Sequence, residues 1–406
     1  MKLLREVAGS EQLAILDAAA RVAGKSGIVP WLVGGPVRDA LLRRRVADLD
    51  FTVQSEAERY ASLLASELDA AVRHHPRFLT SKITLLSGTE VDITTARSER
   101  YPAPGSLPAV APATIEQDLA RRDFTINAIA VRLGEDQIVD PFQGFEDLER
   151  RLLRVLHPES FFDDPTRVLR LLRLAARLDF SIEPGTAERM RAALASDALS
   201  TVSRERLWRE LRLTLTEPDP ALSIESIVEG GALRPLIGVA ELNAERRERL
   251  RRALTAGGET PLDREVMMLA ALLDEPAGVE GRLAGCGLSE SRIRLVNLLR
   301  EADPRAERLA SIDVETAVSE LEKAPEELLA LIEVRPEHRP LIEAVRAARS
   351  IELPFRTSEL ELEPGPHIAH ALRETRRALV AGRIGPQQAL SFARQQALEY
   401  LHRRES

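Results

Sequence analysis

Two acidic residues, Asp48 and Asp50, stand one residue apart in a short, mainly apolar stretch of this 406-residue sequence. If Leu49–Val53 is a strand, the two carboxylates project together, because strand residues two apart point to the same face. A pair of convergent carboxylates suits Mg²⁺, which takes few protein ligands and completes its shell with water and substrate phosphates. We therefore expect Asp48 and Asp50 to be a catalytic pair that holds metal.

A glycine pair, Gly34 and Gly35, precedes this stretch, between an apolar run at Ile28–Val33 and a short helix predicted from Pro36. Glycine lets the backbone approach a ligand closely, and a helix N-terminus offers free N–H groups. The arrangement predicts a phosphate cradle. Arg38, just inside the helix, could reach the same phosphates.

A charged segment, Arg121–Asp123, stands directly before a predicted strand that extends to about Val131. Arg122 could bind a triphosphate and Asp123 the hydroxyls of a ribose. A salt bridge at a helix end explains this segment equally well when it is taken alone.

A third charged group begins at Asp164, which is three residues before Arg167 on a predicted helix, so that the two are neighbours on one face. A carboxylate accepts from an exocyclic amine while a guanidinium donates to a ring nitrogen, the pattern of cytosine and adenine. Uracil and guanine would leave both protein groups unpaired, at about 1–3 kcal/mol each. Arg170 and Arg173 extend the row. Alone, the segment also fits a capped helix with internal ion pairs.

The elements that must position these residues form an α+β head with a small mixed sheet, followed by helices almost without a break from about Glu146. Residues 97–116 contain four prolines and little periodicity, and they predict a long loop. No internal repeat of constant period is visible.

The composition excludes several classes of protein. The net charge of −8 argues against a generally polybasic nucleic-acid binder, and an aromatic content of 4% argues against base-stacking platforms. The sequence has no apolar run of about 18 residues, and its first residues turn polar before a signal core can form. The single cysteine fits a reducing compartment. We expect a cytoplasmic protein that is not bound to a membrane.

Together these segments resemble the class II tRNA nucleotidyltransferases, a family shared with bacterial poly(A) polymerases, whose head is polymerase-β-like. The matching segments are Gly34–Asp39, Asp48–Asp50, Arg121–Ala128 and Asp163–Arg167, with weaker similarity at Val202–Arg206 and Leu362–Ile368.

The resemblance implies roles for individual residues. Asp48 and Asp50 would hold Mg²⁺ in a two-metal mechanism, and Asp92 occupies a position like that of a third carboxylate, with packing or a salt bridge as the alternative. The nucleotide-binding set would be Gly34, Gly35, Arg38, Arg122, Asp123, Asn127, Asp164, Arg167, Arg170 and Arg173. The division would be a nucleotidyltransferase head (1–145), a neck that recognises the base (146–216), a body (217–350) and a tRNA-binding tail (351–406).

The implied activity is CCA addition, in which C and A are added from CTP and ATP to the tRNA 3′ end without a template, and pyrophosphate is released. The tRNA partner would be held by its 3′ end and its acceptor and T arms, and no DNA is expected.

Several alternatives remain open. An A-adding specialist would need a partner nucleotidyltransferase, and the segment Arg97–Pro102 is similar to such enzymes. A CC-adding enzyme fits less well, because the loop between the first two motifs tends to be shortened in that branch, whereas Arg97–Ala120 is long. A poly(A) polymerase and a non-catalytic RNA-binding protein are the others.

Overall fold

Asp50 lies on a central strand of a seven-stranded sheet in a computed structural model of the chain, and the glycine pair directly follows the neighbouring strand. This structure describes residues 2–46, 48–135, 137–258, 260–273, 278–283 and 285–405. The sheet order is β3-β4-β5-β2-β1-β8-β9. β2 and β5 are parallel and the other neighbours antiparallel, so the predicted mixed sheet is confirmed. The strands are β1 (Trp31–Val33), β2 (Leu49–Val53), β3 (Ala71–His75), β4 (Thr80–Thr84), β5 (Glu90–Thr95), β6 (Arg97–Arg100), β7 (Ala109–Pro112), β8 (Ala130–Arg132), β9 (Ile138–Val139), β10 (Leu152–Leu153) and β11 (Ser181–Ile182).

The chain divides into two compact units, Met1–Glu241 and Leu242–Ser406. The finer division at residues 145, 216 and 350 stays a prediction. The helices of the first unit are α1 (Lys2–Val7), α2 (Ser10–Ser26), α3 (Gly35–Leu41), α4 (Ala57–Glu67), α5 (Ile115–Ala120), α6 (Gly144–Glu149), α7 (Ser160–Asp163), α8 (Thr166–Leu178), α9 (Pro184–Ala195), α10 (Arg204–Leu213), α11 (Pro220–Glu229) and α12 (Arg234–Ile237).

Alternation along the central strands gives the sheet one apolar and one polar face. Phe51 and Val53 on β2, and Val91 and Ile93 on β5, are almost fully buried. Helix α4 packs against β4 and β5, and Tyr60 on α4 is fully buried and donates a hydrogen bond to the carbonyl of Ala19, 2.9 Å away. Because successive strand residues point to opposite faces, the polar residues between these apolar ones face away from that core.

The predicted loop at 97–116 is wrong over part of its length. β6 and β7 pair as an antiparallel hairpin, with Arg97 opposite Pro112 and Arg100 opposite Ala109. The strand predicted after Asp123 is also too long, because residues 125–127 form a 3₁₀ turn and β8 begins at Ala130. The helical run predicted from Glu146 is interrupted by a short parallel pair, β10 and β11.

The regular elements among the described residues of the second unit are helices. In its last part, the small side chains of Ala371, Ala393 and Ala397 pack with Leu360 and let the helices Pro366–Val380 and Ala389–Glu405 approach closely. Among the described residues, no helix is both long and apolar enough to cross a membrane. The helices are α13 (Ala244–Thr255), α14 (Arg264–Leu272), α15 (Val279–Leu283), α16 (Glu290–Leu299), α17 (Ala302–Leu309), α18 (Val314–Leu321), α19 (Glu326–Glu333), α20 (Arg339–Ser350), α21 (Pro366–Val380) and α22 (Ala389–Glu405).

Candidate active site

One open cavity of about 430 Å³ in the first unit brings together most of the predicted site residues. Three predicted residues, Asp48, Arg38 and Arg173, are not in its wall. The structure therefore separates the predicted set into a group that faces the cavity and a smaller group behind or beside it. The predicted residues that line the cavity are Gly34, Gly35, Asp50, Arg122, Asp123, Asn127, Asp164, Arg167 and Arg170.

Gly34 lies at the point where β1 ends and α3 begins. Its φ of +73° is a left-handed conformation that L side chains rarely adopt. A Cβ on Gly34 would lie 2.8 Å from Nη1 of Arg122. Arg122 is held in turn by Asp118, whose Oδ2 accepts a hydrogen bond of 3.0 Å from its Nη2. The glycine is thus required both by the backbone and by the guanidinium beside it.

Two other carboxylates, Asp48 and Asp92, affect the charge of Asp50 in the wall of this cavity. Asp50 and Asp92 are register partners on the parallel strands β2 and β5. Burial raises the pKa of Asp50 to about 6, and the charges of Asp92 and Asp48 add to this, against the opposing effect of Arg122. A site where carboxylates repel one another and are partly desolvated favours a bound cation.

The predicted metal pair is placed slightly differently from the expectation. Asp50 lies within β2, but Asp48 is exposed and lies one residue before the strand. No group of three or more His, Cys, Asp or Glu side chains among the described residues is arranged to hold a metal ion. Asp50, in the cavity wall, and the exposed Asp48 before it are oxygen ligands of the kind that Mg²⁺ takes in small number beside substrate oxygens.

Arg38 is behind the cavity wall rather than in it. Its side chain is buried and donates to Asn127 Oδ1, at 2.7 Å, and to Asp39 Oδ1, at 2.8 Å. Burial lowers the pKa of Arg38, while Asp39 opposes this. Arg38 thus positions Asn127, which does line the cavity.

Asn127 continues this chain of contacts to the third predicted segment. Its Nδ2 donates to Asp123 Oδ1 at 2.9 Å, and Asp123 Oδ2 accepts from Nε and Nη2 of Arg170, at 3.0 and 2.7 Å. Burial alone would raise the pKa of Asp123, but Arg170 and Asn127 hold it well below its usual range. Asp123 is therefore ionised at neutral pH.

The contacts then return to Arg38 and close a ring of side chains. Arg170 and Arg173 both approach Glu210, and Arg173 donates to Glu217 at 2.7 Å. Arg177 lies 3.7 Å from Glu217 and 3.4 Å from Asp39, the partner of Arg38. Arg173 therefore supports Arg170 through this ring, which connects α3, α8 and α10.

Asp164 and Arg167 line the cavity together but do not lie on one helix as predicted, since Asp164 is in extended backbone before α8. Oδ1 of Asp164 accepts from Thr166 Oγ1, at 2.7 Å, and from Arg206 Nη2, at 3.2 Å. Arg167 is buried and donates to Ser160 Oγ and to the carbonyl of Arg121, both at 2.7 Å. Each side chain is held by neighbours other than its predicted partner.

The sequence reasoning missed a second cluster in the cavity wall, contributed by the β6–β7 hairpin. Glu99, whose side chain is 7% exposed, accepts from Arg97, Arg121 and Tyr101 at 2.8–3.2 Å. Phe78 also lines the cavity. The placement of Arg97 and Glu99 two residues apart, on one face of a strand, was the available signal at this position.

Known families match two parts of the chain. The family described as "Poly A polymerase head domain" matches residues 30–154. The family described as "Probable RNA and SrmB- binding site of polymerase A" matches residues 179–242. The first range contains the glycine pair, Asp48, Asp50 and the segment around Arg122.

Individual relatives agree with these matches. The chain is 37% identical over 242 residues to an A-adding tRNA nucleotidyltransferase of Halalkalibacterium halodurans, with 58% of this chain and 57% of the relative covered. It is 41% identical over 217 residues to a CC-adding tRNA nucleotidyltransferase of Deinococcus radiodurans, with coverage of 52% and 57%. The chain thus spans a little over half the length of each relative.

A solved structure covers nearly the whole chain. An apo form of a CCA-adding enzyme superposes with a TM-score of 0.80 and 25% identity, over 96% of each chain. This likeness confirms the predicted fold, an α+β head followed by helices. The matched domains, the relatives and the shared fold agree with one another: the chain is similar to tRNA nucleotidyltransferases and bacterial poly(A) polymerases.

Proposed function

We propose that the protein adds C and A, from CTP and ATP, to the 3′ end of tRNA without a nucleic-acid template. The observation that carries this proposal is a single cavity lined by Asp50, by the phosphate-binding candidates Gly34 and Arg122, and by Asp164 and Arg167. A non-catalytic RNA-binding protein has no need of a carboxylate that burial and two like charges make costly to keep ionised.

In this proposal, Gly34, Gly35 and Arg122 bind the triphosphate of the incoming nucleotide. Arg167 donates to the ring nitrogen of cytosine or adenine. Because Thr166 and Arg206 engage Oδ1 of Asp164, its Oδ2 accepts from the exocyclic amine. The side chains of Asp164 and Arg167 thus select the base, which is the role that a template strand has in other polymerases.

The reaction is a displacement at phosphorus. The 3′-hydroxyl oxygen of the tRNA attacks the α-phosphorus of the bound nucleotide. The bond between this phosphorus and the pyrophosphate oxygen breaks, and the hydroxyl proton passes to solvent. Mg²⁺ held by Asp48 and Asp50 would supply a lowered pKa for the attacking hydroxyl and charge stabilisation for the leaving oxygens. Arginines of the helical segments beyond residue 217 contact the acceptor and T arms by shape and charge.

A specific observation also favours a second candidate, addition of the terminal A alone. The Halalkalibacterium relative is an A-adding enzyme, and the chain is 37% identical to it over 242 residues. In that case a partner nucleotidyltransferase adds the two preceding C residues.

Extension of three tRNA transcripts, ending before CCA, after C and after CC, tests both candidates. CTP and ATP are supplied separately and together. Completion of all three transcripts supports CCA addition. Growth of the CC-ended transcript alone, by one A, assigns the protein to terminal A addition. Absence of extension by folded protein with Mg²⁺ would overturn the proposed function.

A further inference from the structure

A row of charged side chains crosses the polar face of the sheet beside Asp50. Lys82 on β4 is the register partner of Asp92 on β5, and Asp92 is that of Asp50 on β2. The Nζ of Lys82 lies 3.7 Å from Asp92 and 2.7 Å from Glu90. The side chain of Glu90 is 52% exposed, so that this ion pair is weak and easily exchanged for another anion.

A row of threonines runs parallel to the charged row, two residues after it on β2 and β5 and two residues before it on the antiparallel strand β4. Thr80 is the register partner of Thr94, and Thr94 that of Thr52. Thr52 is fully buried, and its Oγ1 has no hydrogen-bond partner among the described residues. Because an unpaired buried hydroxyl costs about 1–3 kcal/mol, its retention points to a partner that comes from a ligand.

Both rows line a second cavity, of about 290 Å³. This cavity shares Asp50 and Arg122, and no other lining residue, with the nucleotide cavity. The reaction joins two substrates at Asp50, and the base-reading residues Asp164 and Arg167 belong to the first cavity. With the nucleotide in the first cavity, as in the proposed function, the second cavity is left for the other substrate.

We infer that the Lys82 and Thr52 rows form the subsite for the 3′-terminal nucleotide of the acceptor RNA. Lys82 contacts the last phosphodiester, since its ammonium is a compact charge that suits a single anionic oxygen. The threonine hydroxyls, which both donate and accept, contact the terminal ribose. This inference rests on the proposed function and adds the residues that hold its second substrate.

The test is steady-state extension of a CC-ended tRNA transcript by Lys82→Gln, Lys82→Arg and Thr52→Val. We expect Lys82→Gln to raise the KM for RNA about tenfold and to leave the KM for ATP within twofold. The slope of log RNA affinity against log salt concentration should become shallower by about 0.7–0.9, the contribution of one phosphate contact. Lys82→Arg should restore most of the RNA affinity, and Thr52→Val should raise the RNA KM two- to tenfold.

Lys25→Gln is the matched control, because Lys25 is an exposed lysine on α2 that pairs with Glu67. It should leave both KM values unchanged. An unchanged KM for RNA in Lys82→Gln and Thr52→Val would overturn the inference while the wild-type activity stands. A loss of inhibition by pyrophosphate in Lys82→Gln, without a change in the KM for RNA, would assign this cavity to the leaving group and overturn it too. Failure of the wild type to extend any RNA would overturn the proposed function itself.

Discussion

Arg170 donates two hydrogen bonds to one oxygen of Asp123, at 3.0 and 2.7 Å, and thereby connects helix α8 to the segment after α5. Asp123 is 7% exposed, whereas the Arg170 side chain is 36% exposed. Solvent therefore screens the guanidinium but hardly reaches the carboxylate. The pair holds the segment after α5 and helix α8 together in the wall of the 430 Å³ cavity.

We predict that Asp123→Asn lowers the free energy of unfolding by about 1–3 kcal/mol at pH 7. This is below the usual value for a broken buried pair, because Arg170 is partly solvated. Urea denaturation measures the change. Glu56→Gln, which removes the exposed ion pair with Arg59, is the control and should change stability by less than about 0.5 kcal/mol. Equal changes in the free energy of unfolding for the two substitutions would contradict a stabilising role for the pair of Asp123 and Arg170.

The stability that Asp123 contributes should depend on pH in a defined direction. Its pKa is lower in the folded chain than in the unfolded one, so the contribution is present above the unfolded value, about 4. It is lost as pH falls below that value toward the folded pKa. The difference in thermal midpoint between wild type and Asp123→Asn should be constant from about pH 7 to 5 and shrink below about pH 4. A difference that grows in acid would contradict this sign.

Gly34→Ala should impair nucleotide binding far more than another glycine substitution does. Its Cβ would meet Arg122 at 2.8 Å in a backbone conformation that disfavours side chains, so we expect the KM for ATP to rise at least tenfold. Gly24→Ala on α2 is the matched control, since nothing lies within 4 Å of its Cβ. Alanine there should raise helix stability by up to about 1 kcal/mol. Comparable KM values for ATP in the two variants would exclude a close contact between the Cβ at position 34 and Arg122.

Asp50→Asn should abolish turnover and yet raise the thermal midpoint in metal-free buffer at pH 7. The substitution removes a desolvated charge that Asp92 and Asp48 repel. Added Mg²⁺ should raise the midpoint of the wild type by mass action and leave that of Asp50→Asn unchanged. Glu58→Gln, an exposed change on α4, should respond to Mg²⁺ as the wild type does. An equal metal response in Asp50→Asn would place the ion elsewhere.

Arg206→Gln should reduce base selection. Arg206 donates to Oδ1 of Asp164, at 3.2 Å, and to the carbonyl of Gly105 in the hairpin connection, at 2.7 Å. Its loss frees Asp164 to rotate, so we expect the preference for ATP over GTP, measured as a ratio of kcat/KM values, to fall about tenfold. Arg209→Gln, an exposed change on the same helix, should leave the ratio unaltered. Unchanged selectivity in Arg206→Gln would show that Thr166 alone orients Asp164.

Much of the site was predictable because its residues sit in short segments whose local pattern is strong. Gly34, Asp50 and Arg122 were predicted from their spacing, and the structure places all three in the wall of one cavity. Their roles in binding stay predictions. The polar face of the sheet follows from the alternation of Asp50 and Thr52 with buried neighbours.

The hairpin could not be predicted from propensity. Prolines counted against strands, but Pro102, Pro104 and Pro108 lie in the connection and Pro112 ends β7, where fewer ladder donors are needed. The role of Glu99 depends on Arg121, 22 residues away, and no local signal reports such a contact. The turn at residues 125–127 was missed for a similar reason, because the Asp123 side chain accepts from Phe124 N and Asn127 Nδ2 and competes with strand pairing.

The most direct test of the account is single-nucleotide incorporation onto a CC-ended tRNA transcript, with ATP, CTP, GTP and UTP supplied one at a time. If Asp164 and Arg167 read the base edge, ATP should be used at least about a hundredfold better than GTP or UTP, since a wrong base leaves two protein groups unpaired. Incorporation of GTP or UTP at a rate close to that of ATP, or no incorporation of any nucleotide, would contradict the account.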